Sequence, residues 1–126
     1  MILVDSSGWV HYFMNGPLAQ PYAGYLSKTK ELLTPTVVLY EVYKKLKSEL
    51  SEEEALMAVA QMEKTTVAPL SESIAYHAAD LALEHRLAMA DAMVYATADI
   101  YKARLITSDV DFKNLPHVTY LGADEK

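Results

Sequence analysis

The chain of 126 residues contains no cysteine. This absence excludes disulfides, a thiolate nucleophile and zinc held by sulfur ligands. No uncharged apolar stretch reaches the about 20 residues that a membrane-spanning helix needs, so we expect no membrane contact. A charged and apolar signal pattern is also missing from the start of the chain. Because these absences fit a reducing compartment, we expect a cytoplasmic protein.

Positive charge is scarce, since 11 Lys and Arg stand against 17 Asp and Glu, giving a net charge of -6. Such a balance argues against a surface that coats nucleic acid, and it would suit a basic protein partner. It does not exclude a nuclease whose phosphate contacts pass through bound cations. The 52% hydrophobic content is typical of a globular protein, and the length predicts one domain over residues 1–126.

Short apolar strands alternate with helices along the chain. Strands are predicted at 1–5, 31–33, 65–69, 104–107 and 118–121. Helices are predicted from Ser6 or Ser7 as cap to about 14, then at 18–28, 34–48, 51–64, 71–86 and 89–102. The third helix is expected to take Thr34 as its cap and Pro35 as its first residue, whereas Ser51 and Ser71 cap the fourth and fifth. This alternation predicts an α/β fold, with three α/β/α layers around a parallel sheet of about five strands.

Four carboxylates stand where an apolar element meets a change of direction. Asp5 and Asp109 each follow a predicted strand, and Glu41 and Asp91 lie early in two apolar helices. Parallel strands present their carboxyl ends at one edge of the sheet, so we expect these acids to converge there. Carboxylates in apolar surroundings are costly unless a cation joins them, so the pattern predicts a site for a divalent cation.

Each of these acids also has an ordinary structural interpretation. An aspartate after a strand is often a helix cap, and Glu41 alone could be solvated. Asp91 is harder to explain in this way, because alanine and methionine surround it in the sequence. Ser6 and Thr107, which adjoin the first and last acids, are expected either to orient water or phosphate or, equally, to act as caps.

Other polar and aromatic residues favour structural roles. The four histidines show no ligand-pair spacing, so packing or surface positions are expected, and only His11 follows a candidate acid closely. The three lysines of the third helix are expected on a solvated face. The aromatic residues of the first helix are expected in the core or at a partner contact.

The segments that carry the acids resemble the acidic motifs of PIN domains, most closely those of the VapC-type toxins of prokaryotic toxin–antitoxin pairs. The similar segments are Val-Asp-Ser-Ser at 4–7, the helix with Glu41, Leu-Ala-Met-Ala-Asp-Ala at 87–92, and Leu-Ile-Thr-Ser-Asp-Val-Asp-Phe at 105–112. The resemblance runs in order through nearly the whole chain. It implies a PIN-like fold.

The resemblance also implies a function, namely a ribonuclease that depends on Mg²⁺ or Mn²⁺. Asp5, Glu41, Asp91 and Asp109 would be the catalytic metal ligands, and Asp111 would be an outer candidate. Either Asp109 or Asp111 could supply the fourth carboxylate, and the family pattern favours Asp109. RNA as substrate, a cognate antitoxin and a homodimer are further expectations of this resemblance.

Two alternative functions stand beside the nuclease. A phosphoacceptor receiver domain also gathers aspartates at strand ends, but it requires an acidic pair after the first strand and a lysine after a late one. Here Ser6 and Ser7 follow Asp5, and no lysine directly follows 118–121. A PIN-like scaffold without catalysis is the second alternative, although four retained acids argue against it.

Overall fold

The structure is a computed structural model, and it describes residues 1–122. Within this range lie the strands β1 (Ile2–Val4), β2 (Leu32–Pro35), β3 (Thr66–Ala68), β4 (Arg104–Thr107) and β5 (Val118–Tyr120). The helices are α1 (Ser6–Phe13), α2 (Ala19–Leu26), α3 (Thr36–Glu49), α4 (Glu52–Met62), α5 (Glu72–His85) and α6 (Met89–Ile100). Short 3₁₀ turns cover Thr29–Glu31 and Val110–Phe112. No helix in this part of the chain has both the length and the apolar character to cross a membrane.

The five strands form one parallel sheet in the order β3-β2-β1-β4-β5. Right-handed connections carry α1 to α4 across one face as the chain moves toward β3. The return from β3 to β4 reverses the direction and carries α5 and α6 across the other face. The predicted α/β fold with a parallel sheet is therefore confirmed. The order reverses between β1 and β4, which is where such sheets bind ligands.

The centre of the sheet is the core of the molecule. Leu3, Val4, Leu105 and Ile106, from β1 and β4, are each at most 1% exposed. Gly8 brings α1 close to this core, because a Cβ there would overlap a ring carbon of Tyr22 and would lie 2.6 Å from Val4 Cγ1. A side chain at that position would push α1 away from β1, and Asp5 lies at their junction.

The structure corrects two predicted helix starts. Pro35 pairs with Ala68 in the sheet, so the extended backbone continues past Thr34 and α3 begins at Thr36. Thr34 is therefore a buried strand residue and not a cap. At α1 the cap is Asp5 and not a serine, because its carboxylate Oδ1 accepts the Ser6 amide at 2.8 Å. Ser51 and Ser71 do cap α4 and α5, as predicted.

Candidate active site

Three aspartates meet at the carboxyl edge of the sheet. Asp91 lies in the first turn of α6, and Asp109 and Asp111 follow β4. One carboxylate oxygen from each lies within 4.8 Å of the others. Asp109 is fixed in place because its Oδ1 accepts the Asp111 amide at 2.9 Å. Both residues that were alternatives for the fourth carboxylate therefore lie beside Asp91.

Asp5 adjoins this group from the end of β1. The pairing of β1 with β4 continues one step further, where the Asp5 amide donates to the Ile106 carbonyl at 3.0 Å. This register sets Asp5 beside Thr107, whose hydroxyl donates to Asp5 Oδ2 at 2.9 Å and accepts the Asp109 amide at 3.0 Å. Thr107 thus links the Asp5 carboxylate to the backbone of Asp109.

Glu41 faces the same group from the second turn of α3. Burial raises the pKa of Glu41 most strongly, and the negative charges of Asp91 and Asp109 raise it further. A hydrogen bond to the Ser6 side chain acts in the opposite direction. Since such charge effects require proximity, α3 contributes its acid to the site that β1, β4 and α6 form. Ser6, which had two expected roles, lies beside Glu41 and does not cap α1.

Burial of charge dominates the electrostatics of the site. Asp5 is only 4% exposed, and desolvation raises its pKa from 3.8 to about 6, against hydrogen bonds from Thr107 and Ser6 that lower it. The pKa of Asp91 is also raised, from 3.8 to about 6. Desolvation is the largest cause, and the charges of Asp109, Asp5 and Asp111 add to it. These acids repel one another when ionised, so a cation among them relieves an existing cost.

The start of α6 adds positive character beside the acids. Ala88 occupies the cap position without a side-chain hydrogen bond, so the first amides of the helix receive no side-chain acceptor from it. Asp91 lies in this first turn, where the helix dipole favours negative charge. The helix therefore stabilises the carboxylate that its own first turn carries into the site.

A layer of hydroxyl groups lies behind the acids, and the sequence patterns did not identify it. The hydroxyls of Tyr22 and Ser108 are 2.6 Å apart, and the Ser108 amide donates to Ser7 Oγ at 3.4 Å. Tyr22 is fully buried on α2. Ser7 and Ser108 do adjoin candidate acids in the sequence, but nothing around Tyr22 signals its partner 86 positions away.

The residues present fit a divalent cation. All donors are carboxylate oxygens, which Mg²⁺ and Mn²⁺ prefer, and a small number suffices because Mg²⁺ keeps several waters. Burial first, and then the charges of neighbouring acids, raise the pKa values of Asp5 and Asp91, and a bound cation would oppose both effects. Chemically, such an arrangement can hold a hard cation where a phosphate oxygen reaches it.

Comparisons with known proteins identify the family and the fold. The sequence profile of the PIN domain matches residues 2–118. A search of curated proteins finds no relative. Among solved structures, a toxin–antitoxin complex from Klebsiella pneumoniae shares 23% identity with a TM-score of 0.80, covering 94% of this chain and 96% of that one.

Two further structures show the same fold at lower identity. VapC20 from Mycobacterium tuberculosis, a sarcin-ricin loop cleaving toxin, shares 16% identity with a TM-score of 0.74, over 98% of this chain and 92% of that one. VapBC2 from Rickettsia felis, bound to a DNA fragment from its promoter, shares 15% identity with a TM-score of 0.74, over 97% and 98%. At these identities the likeness is one of fold.

Proposed function

The chain belongs to the PIN domain family, and from this premise we propose that it is a cation-dependent endoribonuclease, the toxin of a type II toxin–antitoxin pair. The observation that carries the proposal is the meeting of Asp91, Asp109 and Asp111 within 4.8 Å, with Asp5 and Glu41 in electrostatic contact. These acids come from four separate elements of the fold. Ordinary helix capping does not require such a convergence.

The acids hold Mg²⁺ or Mn²⁺ in this proposal, with Asp5, Glu41, Asp91 and Asp109 as ligands, directly or through water, and Asp111 beside them. The bound cation supplies an activated water and offsets the negative charge of the phosphodiester. Without that charge the five carboxylates repel RNA, so they bind substrate only together with the cation. No cysteine, serine or histidine nucleophile is needed.

Asp5 would be a cation ligand whose carboxylate is held in one orientation by two hydrogen bonds. Its Oδ1 accepts from the Ser6 amide and its Oδ2 from the Thr107 hydroxyl. Since each carboxylate oxygen has two lone-pair positions, one acceptor position remains on each oxygen. The two existing bonds fix the plane of the carboxylate, so its free positions keep a constant direction. Thr107 and Ser6 therefore act as positioning residues.

A protein partner follows from the same proposal. The Klebsiella pneumoniae structure is a toxin–antitoxin complex, and VapC20 is a toxin that cleaves the sarcin-ricin loop. We expect a cognate antitoxin, RNA as substrate, a homodimer and a cytoplasmic setting. Family membership sets aside the receiver alternative, whereas the scaffold without catalysis is decided by the experiment below.

The test compares Asp91→Asn with Asp80→Asn, which removes the same charge from an exposed position on α5. Cleavage of structured RNA is measured with Mg²⁺, with Mn²⁺ and with excess EDTA. We expect EDTA to stop cleavage by the unaltered protein. Asp91→Asn should reduce cleavage by more than the about 10–100-fold typical of residues that only support a metal ligand. Asp80→Asn should cleave normally.

Three results would contradict the proposal. Cleavage that survives EDTA would exclude the cation. Full activity in Asp91→Asn would remove this residue from the site. A purified protein that binds its partner but cleaves no RNA under any of these conditions would favour the scaffold. Thermal melts of both variants show whether a loss of activity comes from unfolding.

A further inference from the structure

A cavity of about 560 Å³ opens beside the acid site, between α1, the loop after it and α3. Ser6 and Glu41 line both the cavity and the site, so the two are continuous. From Glu41 the wall continues along one face of α3 through Lys45 and Glu49 at four-residue spacing. Lys45 therefore lies about 6 Å along the helix from Glu41. The volume falls in the about 300–1,000 Å³ range of small-molecule pockets.

The walls favour an uncharged ring over a phosphate. Val10, Met14 and Pro17 supply apolar surface on the α1 side. On the α3 side Lys45 and Glu49 form an ion pair that cancels their charges, which leaves Glu41 as the remaining charge of this face. A phosphate finds no unpaired cationic side chain among the described residues of these walls, whereas a nucleobase has apolar faces and a polar edge for the paired groups.

His11 gives the cavity a fixed polar group. Its Nδ1 accepts the Leu18 amide at 3.4 Å, and its ring stacks on Tyr22 with centroids 6.0 Å apart. Gly16 makes this arrangement possible, because a Cβ there would lie 2.6 Å from His11 Nδ1. With Nδ1 accepting, the neutral ring carries its proton on Nε2 and offers one donor. His11 also lines the cavity.

We infer that this cavity receives a nucleobase of the RNA strand next to the scissile phosphate, and that His11 recognises its edge. This inference rests on the proposed nuclease function. A base held there fixes the strand about one helical turn from the acids, so the cavity sets the sequence preference of cleavage. His11 is thus a specificity residue and takes no part in the bond-breaking step.

The experiment sequences the cleavage ends that the purified protein produces from an RNA library with randomised sequence, in the presence of Mn²⁺. His11→Phe keeps a ring against Tyr22 and removes both nitrogens. The matched control is His85→Phe, a helical histidine that does not line this cavity and whose ring packs against Tyr95. Met14→Trp fills the cavity and serves as a second variant should His11→Phe not fold.

We expect the unaltered protein and His85→Phe to share one strong base preference beside the cut. His11→Phe should weaken that preference, which is the ratio of cleavage at the preferred base to cleavage at the other bases, about tenfold, the value of one hydrogen bond. Met14→Trp should reduce cleavage at the preferred sequence more than cleavage at other sequences. A cleaving protein with no base preference next to the cut would overturn the inference and leave the nuclease standing.

Other outcomes are equally decisive. An unchanged preference in both His11→Phe and Met14→Trp would overturn the inference. An equal loss at every sequence in the folded variants would show a general role and also overturn it. Absence of any cleavage by the unaltered protein would remove the proposed function, and this inference with it.

Discussion

Two buried threonines at the ends of parallel strands have opposite surroundings. The hydroxyl of Thr34 has its hydrogen-bond partner in the protein interior beside β3. The hydroxyl of Thr107 faces the acids beside β1. Both side chains are fully buried. Thr34 is the last residue but one of β2, and Thr107 is the last residue of β4. The difference between the two sites distinguishes a strand end that completes the core from one that adjoins buried acids.

The hydroxyl of Thr34 belongs to a closed network. The Thr65 hydroxyl donates to the Met62 carbonyl at 2.7 Å, so Thr34, whose oxygen is 2.6 Å from that of Thr65, must be the donor of their bond. The two hydroxyl protons of this network therefore both have an acceptor inside the protein. The network anchors the end of α4 to β2. It contains no charged group and leaves no hydroxyl proton free to bind a ligand.

The hydroxyl of Thr107 belongs to a network that ends in charge. It donates to Asp5, a carboxylate with a raised pKa, and it accepts the amide of Asp109. The switch in strand order lies between these two strands, where helices diverge and leave room above the sheet. Identical side chains thus complete a packed network at β2 and bond to the candidate acids at β4.

The prediction with the largest expected effect concerns how the stability of the fold depends on pH, with and without a cation. The folded pKa values of Asp5 and Asp91, about 6, exceed their usual value of 3.8. Their contribution to stability is therefore fully present below about pH 4 and lost as pH rises through about 6. For buried Asp5 the loss is on the order of 3 kcal/mol, and for half-buried Asp91 it is smaller.

Thermal melts between pH 4 and 8 measure this effect, first in EDTA and then in Mn²⁺. Without a cation we expect the melting temperature to fall across this range relative to Asp91→Asn, which lacks one of the charges. With Mn²⁺ the trend should reverse, because the cation binds ionised carboxylates. Parallel curves in EDTA and Mn²⁺ would contradict a cation site at these acids.

The second test exchanges each threonine for its isostere. In Thr107→Val, Asp5 loses a hydrogen bond that lowers its pKa, and the Asp109 amide loses its acceptor. We expect RNA cleavage to fall about 10–100-fold, as for residues that orient metal ligands. Thr34→Val should cleave at the normal rate. Kinetics at several Mn²⁺ concentrations separate weaker cation binding from unfolding, and equal losses in the two variants would refute the contrast.

The sequence predicted the sheet and the acids because both depend on local patterns. Apolar runs such as Leu-Ile-Thr at 105–107 mark buried strands, and the order of strands and helices determines a parallel sheet. That rule alone places residues after β1 and β4 at one edge. Glu41 and Asp91 were expected from their apolar helices, and the structure brings them to the same group of acids.

The remaining features depend on contacts between distant segments. Nothing local separates Thr34 from an ordinary cap before a proline, because the pairing of Pro35 with Ala68 is what extends the strand. The bond between Tyr22 and Ser108 likewise arises only when α2 packs near the end of β4, and the stacking of His11 on Tyr22 only when α1 and α2 pack together. Side-chain networks of this kind have no period along the sequence.

The smallest test measures the closed network itself through a double-mutant cycle of Thr34→Val and Thr65→Val. Thr34→Val removes a donor to Thr65 and should cost about 1 kcal/mol of unfolding free energy. Thr65→Val should cost more, because it also leaves the Met62 carbonyl without its hydroxyl donor. In the double variant both ends of the bond are apolar, so the cost should be about 0.5–1 kcal/mol less than the sum. Additive costs from urea unfolding would show that the two hydroxyls do not interact, and any loss of RNA cleavage would show that this network does support the site.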